Sequence, residues 1–431
     1  MKFVGATFGK ATPYVAKAIL IDPEVGMFDF VMADDILSQV QDIQISSDLT
    51  MNEAREVAKG RVVPQIEDTI ATLEIIGKVN GKVKSIHHPL MPGTKLKRAT
   101  KKNITSYLKM TDESNAVKLG TLMRRSDILI TLPQKIYEFH IAIIGMTNHG
   151  KSNAGKVLLS QITRKCIVID PHGEYEGIQI EVDKLTERQD INEFELIETL
   201  EDNLSPRHKK QLETLQKVLK HTDHCDKIKD FDKKLFHACL SPYIDNGEPL
   251  KKAIKDAIAS KNKTINVIAA VEKYIGTRQR KPLVINLRNL GKVDSQTIVS
   301  LIALKVLETG KRTGKAVNLF IDEAHRFCPQ KGSPSSKAPL IDLAQEGRKF
   351  GCGLTILTQR SADVDKGILS QCNSKIILKL TNDNDIKQVR ASTEYATKKM
   401  FDEVQKLRVG EALFTSTLIE RPVFIKVDLY D

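Results

Sequence analysis

Gly145-Met-Thr-Asn-His-Gly150-Lys151-Ser152 sets two glycines around four residues and follows them with a lysine and a hydroxyl. Glycines let successive backbone N–H groups turn inward, which forms an anion cradle at a helix N-terminus. Lys151 would place a fixed positive charge against the β- and γ-phosphates of a nucleoside triphosphate, and the Ser152 hydroxyl would take one position on Mg²⁺. Four apolar residues, Ile141 to Ile144, run into the loop, and a helix-like segment follows it. Strand, loop and helix in that order are the context a Walker A phosphate loop requires. The nucleotide-binding set is then Gly145, Met146, Thr147, Asn148, His149, Gly150, Lys151, Ser152 and Asn153, with ATP and Mg²⁺ as the cofactors. Asn148 and His149 are bulkier than the small residues usual between such glycines. His149 reads as pointing outward.

A second set lies downstream. Ala316-Val-Asn-Leu-Phe-Ile-Asp-Glu-Ala-His325 is an apolar strand ending in two acids, the Walker B pattern. Asp322 would enter the Mg²⁺ shell and Glu323 would orient and polarise the attacking water. Adjacent acids at a strand tip can instead cap a helix. Gln359, in Leu-Thr-Gln-Arg360, also ends a strand. It reads either as a sensor of the γ-phosphate or as a loop-stabilising amide. Phosphoryl transfer further needs charge neutralisation, commonly by an arginine finger, for which Arg348, Arg360 and Arg390 are the candidates. Asp170 and Glu174, in Asp170-Pro-His-Gly-Glu-Tyr175, read equally as nucleotide-side groups or as a Pro-Gly turn with a capping acid.

These groups need a rigid frame. Lys2–Thr7, Val15–Ile21, Phe28–Met32, Ile43–Ser46, Thr72–Lys78 and Lys82–His87 read as short strands, with Asn80-Gly81 as a hairpin turn. A small closed β-barrel is the natural solution for them. The basic stretch Lys95, Lys97, Arg98, Lys101 and Lys102 reads as a surface loop or linker. From Ile141 the pattern changes. Cys166–Asp170, Leu283–Leu287, Val317–Asp322, Leu354–Thr358 and Lys375–Leu380 are apolar runs with polar C-terminal ends. They predict a parallel sheet with helices on both faces and ligands beyond its strand ends. Glu411–Leu418 and Pro422–Leu429 predict a hairpin. The expected organisation is an α/β chain: a barrel over 1–110, a basic linker to about 135, and an ATPase domain over 136–431 with a helical insertion over about 183–278.

Composition narrows the class. At 431 residues with 41% hydrophobic content, the chain is long enough for two or three cored domains. It has neither an apolar run of membrane-spanning length nor an apolar signal core, so a cytoplasmic protein without membrane partners is expected. The six cysteines form no CxxC pair, which fits reduced thiols. His221, His224, Cys225, His237 and Cys239 match no common zinc module well. A net charge of +12, no tryptophan and 5% aromatic residues suit phosphate-directed contact with nucleic acid better than base stacking.

Taken in order, these motifs resemble the HerA-type ATPases of the FtsK–HerA P-loop superfamily. The matching stretches include Phe-Ile-Asp322-Glu-Ala-His-Arg326, Thr358-Gln-Arg-Ser-Ala-Asp-Val-Asp365 and Leu369-Ser-Gln-Cys-Asn373, and Asp170-Pro-His-Gly-Glu-Tyr175 with Glu346-Gly-Arg-Lys-Phe-Gly351 is more specific than either Walker motif. The resemblance implies a RecA-like core behind the N-terminal barrel and a homohexameric ring that hydrolyses ATP and translocates duplex DNA. It also implies a NurA-like nuclease as partner in DNA end resection and repair. On this likeness Lys151, Ser152, Asp322, Glu323 and Gln359 keep the roles given above, and Arg348 becomes the finger reaching a neighbour's nucleotide. Two other readings compete: a nucleotide-gated ring scaffold recruiting an effector nuclease in defence, and a DNA-packaging or conjugation pump.

Overall fold

The computed structural model describes residues 3–47, 51–59, 67–80, 82–182 and 267–430. Most of the expected helical insertion, with His221, His224, Cys225, His237 and Cys239, lies outside the described residues. The chain divides into two compact units. One comprises Met1–Ile162, Leu357–Ala362 and Leu369–Asp431, and the other comprises Thr163–Ile356 and Asp363–Ile368.

The first unit opens with the barrel. Six strands close on themselves in the order Val15–Leu20, Phe3–Phe8, Lys95–Arg98, Phe30–Ala33, Ile36–Ser47 and Glu67–Asn80, the last pairing back onto the first. Lys82–Lys84 adds to Glu67–Asn80 as a hairpin at the predicted turn. Alternation makes the core. In Val15–Leu20 every second residue is buried, and Val4, Ala16, Ala18, Val31, Val40, Leu73 and Leu96 fill the interior.

The basic stretch is not a loop. Lys95–Arg98 is a strand inside the barrel wall, antiparallel to both Phe3–Phe8 and Phe30–Ala33. Leu96 is fully buried. Lys95 and Lys97, two residues apart, share the other face, with ammonium groups 4.8 and 5.2 Å from the centre of the Phe3 ring. One apolar residue between lysines is too little periodic signal to declare a strand. A helix, Lys101–Tyr107, follows, capped by the Thr100 side chain on the Asn103 N–H. The residues expected to continue a linker form a further hairpin, Val117–Leu122 with Arg125–Leu132.

In the same unit, Ile141–Ile144 runs parallel to Ser374–Ile377. From there the sheet turns antiparallel through Glu411–Ser416, Val423–Val427 and Val117–Leu122. The predicted C-terminal hairpin is present. It also receives the barrel: Phe28 stacks on Phe424 with centroids 4.9 Å apart, and Arg421 Nη2 donates to Glu74 at 2.7 Å.

The second unit is a parallel sheet. Lys165–Asp170 lies between Leu283–Asn286 and Val317–Ile321. Ile178–Glu181 extends one side, and the strand Gly353–Thr358, paired as far as Ile356, extends the other. Apart from Ile178–Glu181, which is partly exposed, these strands are buried along their whole length except at the ends, as a sheet covered on both faces requires. Lys292–Thr313 is a long helix closed by Gly314 in the left-handed region.

Candidate nucleotide site

The loop after Ile141–Ile144 is fixed by its own unit. Gly145 N–H donates to Thr358 O at 3.3 Å, and Met146 N–H to Lys379 O at 3.0 Å. A Cβ at Gly145 would come within 2.8 Å of the Leu378 side chain, so only glycine fits against that wall. Gly150 adopts φ +98° immediately before the helix Lys151–Ser160, a conformation that would strain any residue with a Cβ. Asn148 also has positive φ, which asparagine tolerates better than most residues. The result is a helix N-terminus whose backbone donors stand behind a strained, glycine-shaped turn, the physical form of an anion cradle. Lys151 Nζ lies 3.3 Å from Met146 O, folded over the loop itself.

Two neighbouring side chains close the loop. Thr147 Oγ1 donates to Gln359 Oε1 at 2.5 Å, so the strand end carrying Gln359 is tied directly to the phosphate loop. His149 Nδ1 lies 3.0 Å from Thr147 O, which holds the ring to its own loop. The Asn153 side chain is committed elsewhere. Its Nδ2 donates to Asp428 O at 2.8 Å and its Oδ1 accepts from Tyr430 N–H at 2.9 Å, leaving its backbone as the part that faces the cradle's role. The Gln359 strand end is anchored from behind by buried Asp385, which accepts from Ser361 Oγ and Ala362 N–H at 2.8 and 2.7 Å.

The acidic pair belongs to the other unit. Asp322 and Glu323 follow Val317–Ile321 at its C-terminal end. Glu323 takes left-handed φ 49°, ψ 47°, a conformation costing a non-glycine residue about 1–3 kcal/mol and concentrated at functional sites. This turn brings Glu323 N–H onto Asp322 Oδ1 at 2.8 Å. Tyr175 Oη donates to the other oxygen, Oδ2, at 3.2 Å. Burial, reinforced by the Glu323 charge, pushes the Asp322 carboxyl up to about 6, against the lowering effect of those two hydrogen bonds. Glu323 Oε2 lies 3.2 Å from His325 Nδ1. Asp322 offers hard oxygen at the end of its strand, a ligand type that fits Mg²⁺. Among the described residues no group of three or more His, Cys, Asp or Glu could hold a metal ion. A cation bound chiefly through nucleotide phosphates needs no such cage.

Arg348 is exposed in a short turn, Gly347–Phe350, after the helix Lys337–Glu346. Arg360 and Arg390 are exposed as well. Asp170 is fully buried and turned into its own loop, which makes it the capping acid of the turn. No local pattern signals the Tyr175–Asp322 bond, because the partners lie 147 positions apart.

The family model described as "Helicase HerA, central domain" matches residues 117–314. The DNA double-strand break repair helicase HerA of Sulfurisphaera tokodaii is 24% identical over 99% of this chain and 93% of its own length. The chain is similar to HerA-type helicases along nearly its whole length. Another relative, "Probable helicase MJ1565" of Methanocaldococcus jannaschii, is 26% identical over 95% of this chain and 87% of that protein. Among solved structures, VirB4 of Thermoanaerobacter pseudethanolicus matches 74% of this chain and 98% of that one, at 16% identity and a TM-score of 0.49. With its phosphate loop and helicase relatives, the chain is an ATP-hydrolysing enzyme. Among the described residues no helix is long and apolar enough to cross a membrane.

Proposed function

We propose that this protein is an ATP-driven translocase and helicase of duplex DNA, working as a homohexameric ring in the cytoplasm. The observation that carries the reading is a phosphate loop tied through Thr147 to Gln359 in a chain that also keeps the barrel and aligns with HerA helicases over nearly its whole length. In this reading the cradle and Lys151 hold the phosphates, and Ser152 and Asp322 hold Mg²⁺, which supplies charge neutralisation when bound. Glu323 orients water and accepts its proton. Gln359 reports the γ-phosphate to its strand. Arg348 reaches the nucleotide of the next subunit, which demands a head-to-tail interface that closes into a ring. A NurA-like nuclease is the expected partner, in end resection and repair.

DNA contact should be through backbone phosphates, since the chain is basic and poor in aromatic residues. Binding of fluorescently labelled duplexes, measured by anisotropy, should show little sequence preference. It should weaken by about a thousandfold or more between 50 and 200 mM salt if six or more phosphates are neutralised. Affinity indifferent to salt, or confined to one sequence, would exclude this mode.

A further inference from the structure

Asp170-Pro-His-Gly-Glu-Tyr175 has an architecture that the nucleotide reading does not use. Asp170 ends the strand Lys165–Asp170 with a fully buried carboxylate. Oδ1 accepts from His172 N–H at 3.1 Å and Gly173 N–H at 2.7 Å, and Oδ2 accepts from Tyr175 N–H at 3.0 Å. Three N–H donors converge on one anion, so the turn is wound around Asp170 and its shape is set by that charge. Gly173, at φ +76°, lets the chain reverse within it.

The turn's product is the position of Tyr175. The ring is 3% exposed and meets Phe320 edge-on, with centroids 5.3 Å apart. Its carbonyl accepts from Gln179 Nε2 at 2.7 Å. The hydroxyl is therefore delivered by packing on both sides to one atom, Asp322 Oδ2, at 3.2 Å. Phe320 lies two residues before Asp322 on the same strand, so ring and hydroxyl grip that strand and its terminal acid together. With Glu323 N–H on Oδ1, each carboxylate oxygen of Asp322 has one fixed donor. A carboxylate held that way has a defined plane and rotamer, with lone pairs left on each oxygen for a cation.

We infer that Tyr175 is a positioning residue that orients Asp322 for Mg²⁺, and that the Asp170 turn serves to place its hydroxyl. This rests on the role proposed above for Asp322. Hydrogen-bonding partners of metal-binding groups typically matter 10–100-fold in metal affinity.

The test compares Tyr175→Phe, Asp322→Asn and the double variant in the full chain. Tyr175→Phe removes one oxygen and keeps the ring on Phe320. Affinity for a fluorescent ATP analogue is measured by anisotropy with EDTA and with Mg²⁺, alongside thermal melting of the ligand-free protein. The expected result for Tyr175→Phe is unchanged affinity in EDTA and near-native melting, but a gain in affinity on adding Mg²⁺ about tenfold smaller than in the parent. Tyr175→Phe should add no further loss to Asp322→Asn, since both act through one group. If the Mg²⁺ gain is unchanged in Tyr175→Phe but lost in Asp322→Asn, the inference falls and the role of Asp322 stands. If neither variant alters it, Asp322 does not hold the ion and both readings fall. Lower melting and weaker binding in EDTA, with the Mg²⁺ gain intact, would reduce Tyr175 to a packing residue and overturn the inference.

Discussion

Glu323→Gln should leave nucleotide binding intact and lower ATP hydrolysis by about a hundredfold or more, the usual contribution of a positioned general base. The amide keeps the size of the side chain but cannot take a proton from water. The left-handed turn at Glu323 should tolerate glutamine as well as it does glutamate, because the strain lies in the backbone. Steady-state hydrolysis and binding of a fluorescent ATP analogue separate the two effects. Full turnover in the glutamine variant would remove Glu323 from the chemistry and, with it, the assignment of the acidic pair.

Arg348→Ala should lower hydrolysis by roughly a thousandfold if Arg348 acts as the finger, with little change in stability, since the side chain is exposed. The trans arrangement makes a sharper statement. Mixing Arg348→Ala subunits with Glu323→Gln subunits should recover measurable hydrolysis, because some interfaces then pair an intact arginine with an intact acid. Homogeneous rings of either variant lack one part everywhere. Normal turnover in Arg348→Ala alone would end the assignment and direct attention to Arg360 and Arg390.

The legible parts of this chain were those with strong local pattern. Ile141–Ile144 and Val317–Ile321 announce themselves as short apolar runs ended by polar residues, and the structure has both as buried strands. Glycine at 145 and 150 is demanded by a side-chain wall and by a positive φ, so the loop's shape is written in residue type. Lys95–Arg98 was hidden because its outward lysines outnumber its single inward leucine, and a charge run looks the same in a loop as on a barrel's outer face. Ile178–Glu181 was hidden because Gln179 and Glu181 interrupt its two isoleucines and leave no apolar run. Contacts distant in sequence were not legible at all. Thr147 meets Gln359 across 212 positions, and Tyr175 meets Asp322 across 147; no spacing rule connects them. Asp170 shows the reverse case. An acid beside a Pro-Gly turn suits a ligand or a cap, and only its three N–H partners decide for the cap.

In the proposed motor, ATP hydrolysis is coupled to duplex DNA. The most direct measurement is steady-state ATP turnover of the assembled protein with and without linear duplex DNA at low salt. DNA should stimulate turnover several-fold, an effect that disappears in Glu323→Gln and fades as salt displaces the DNA. Turnover unchanged by DNA, under conditions where anisotropy shows the DNA bound, would contradict a motor and favour a nucleotide-gated scaffold.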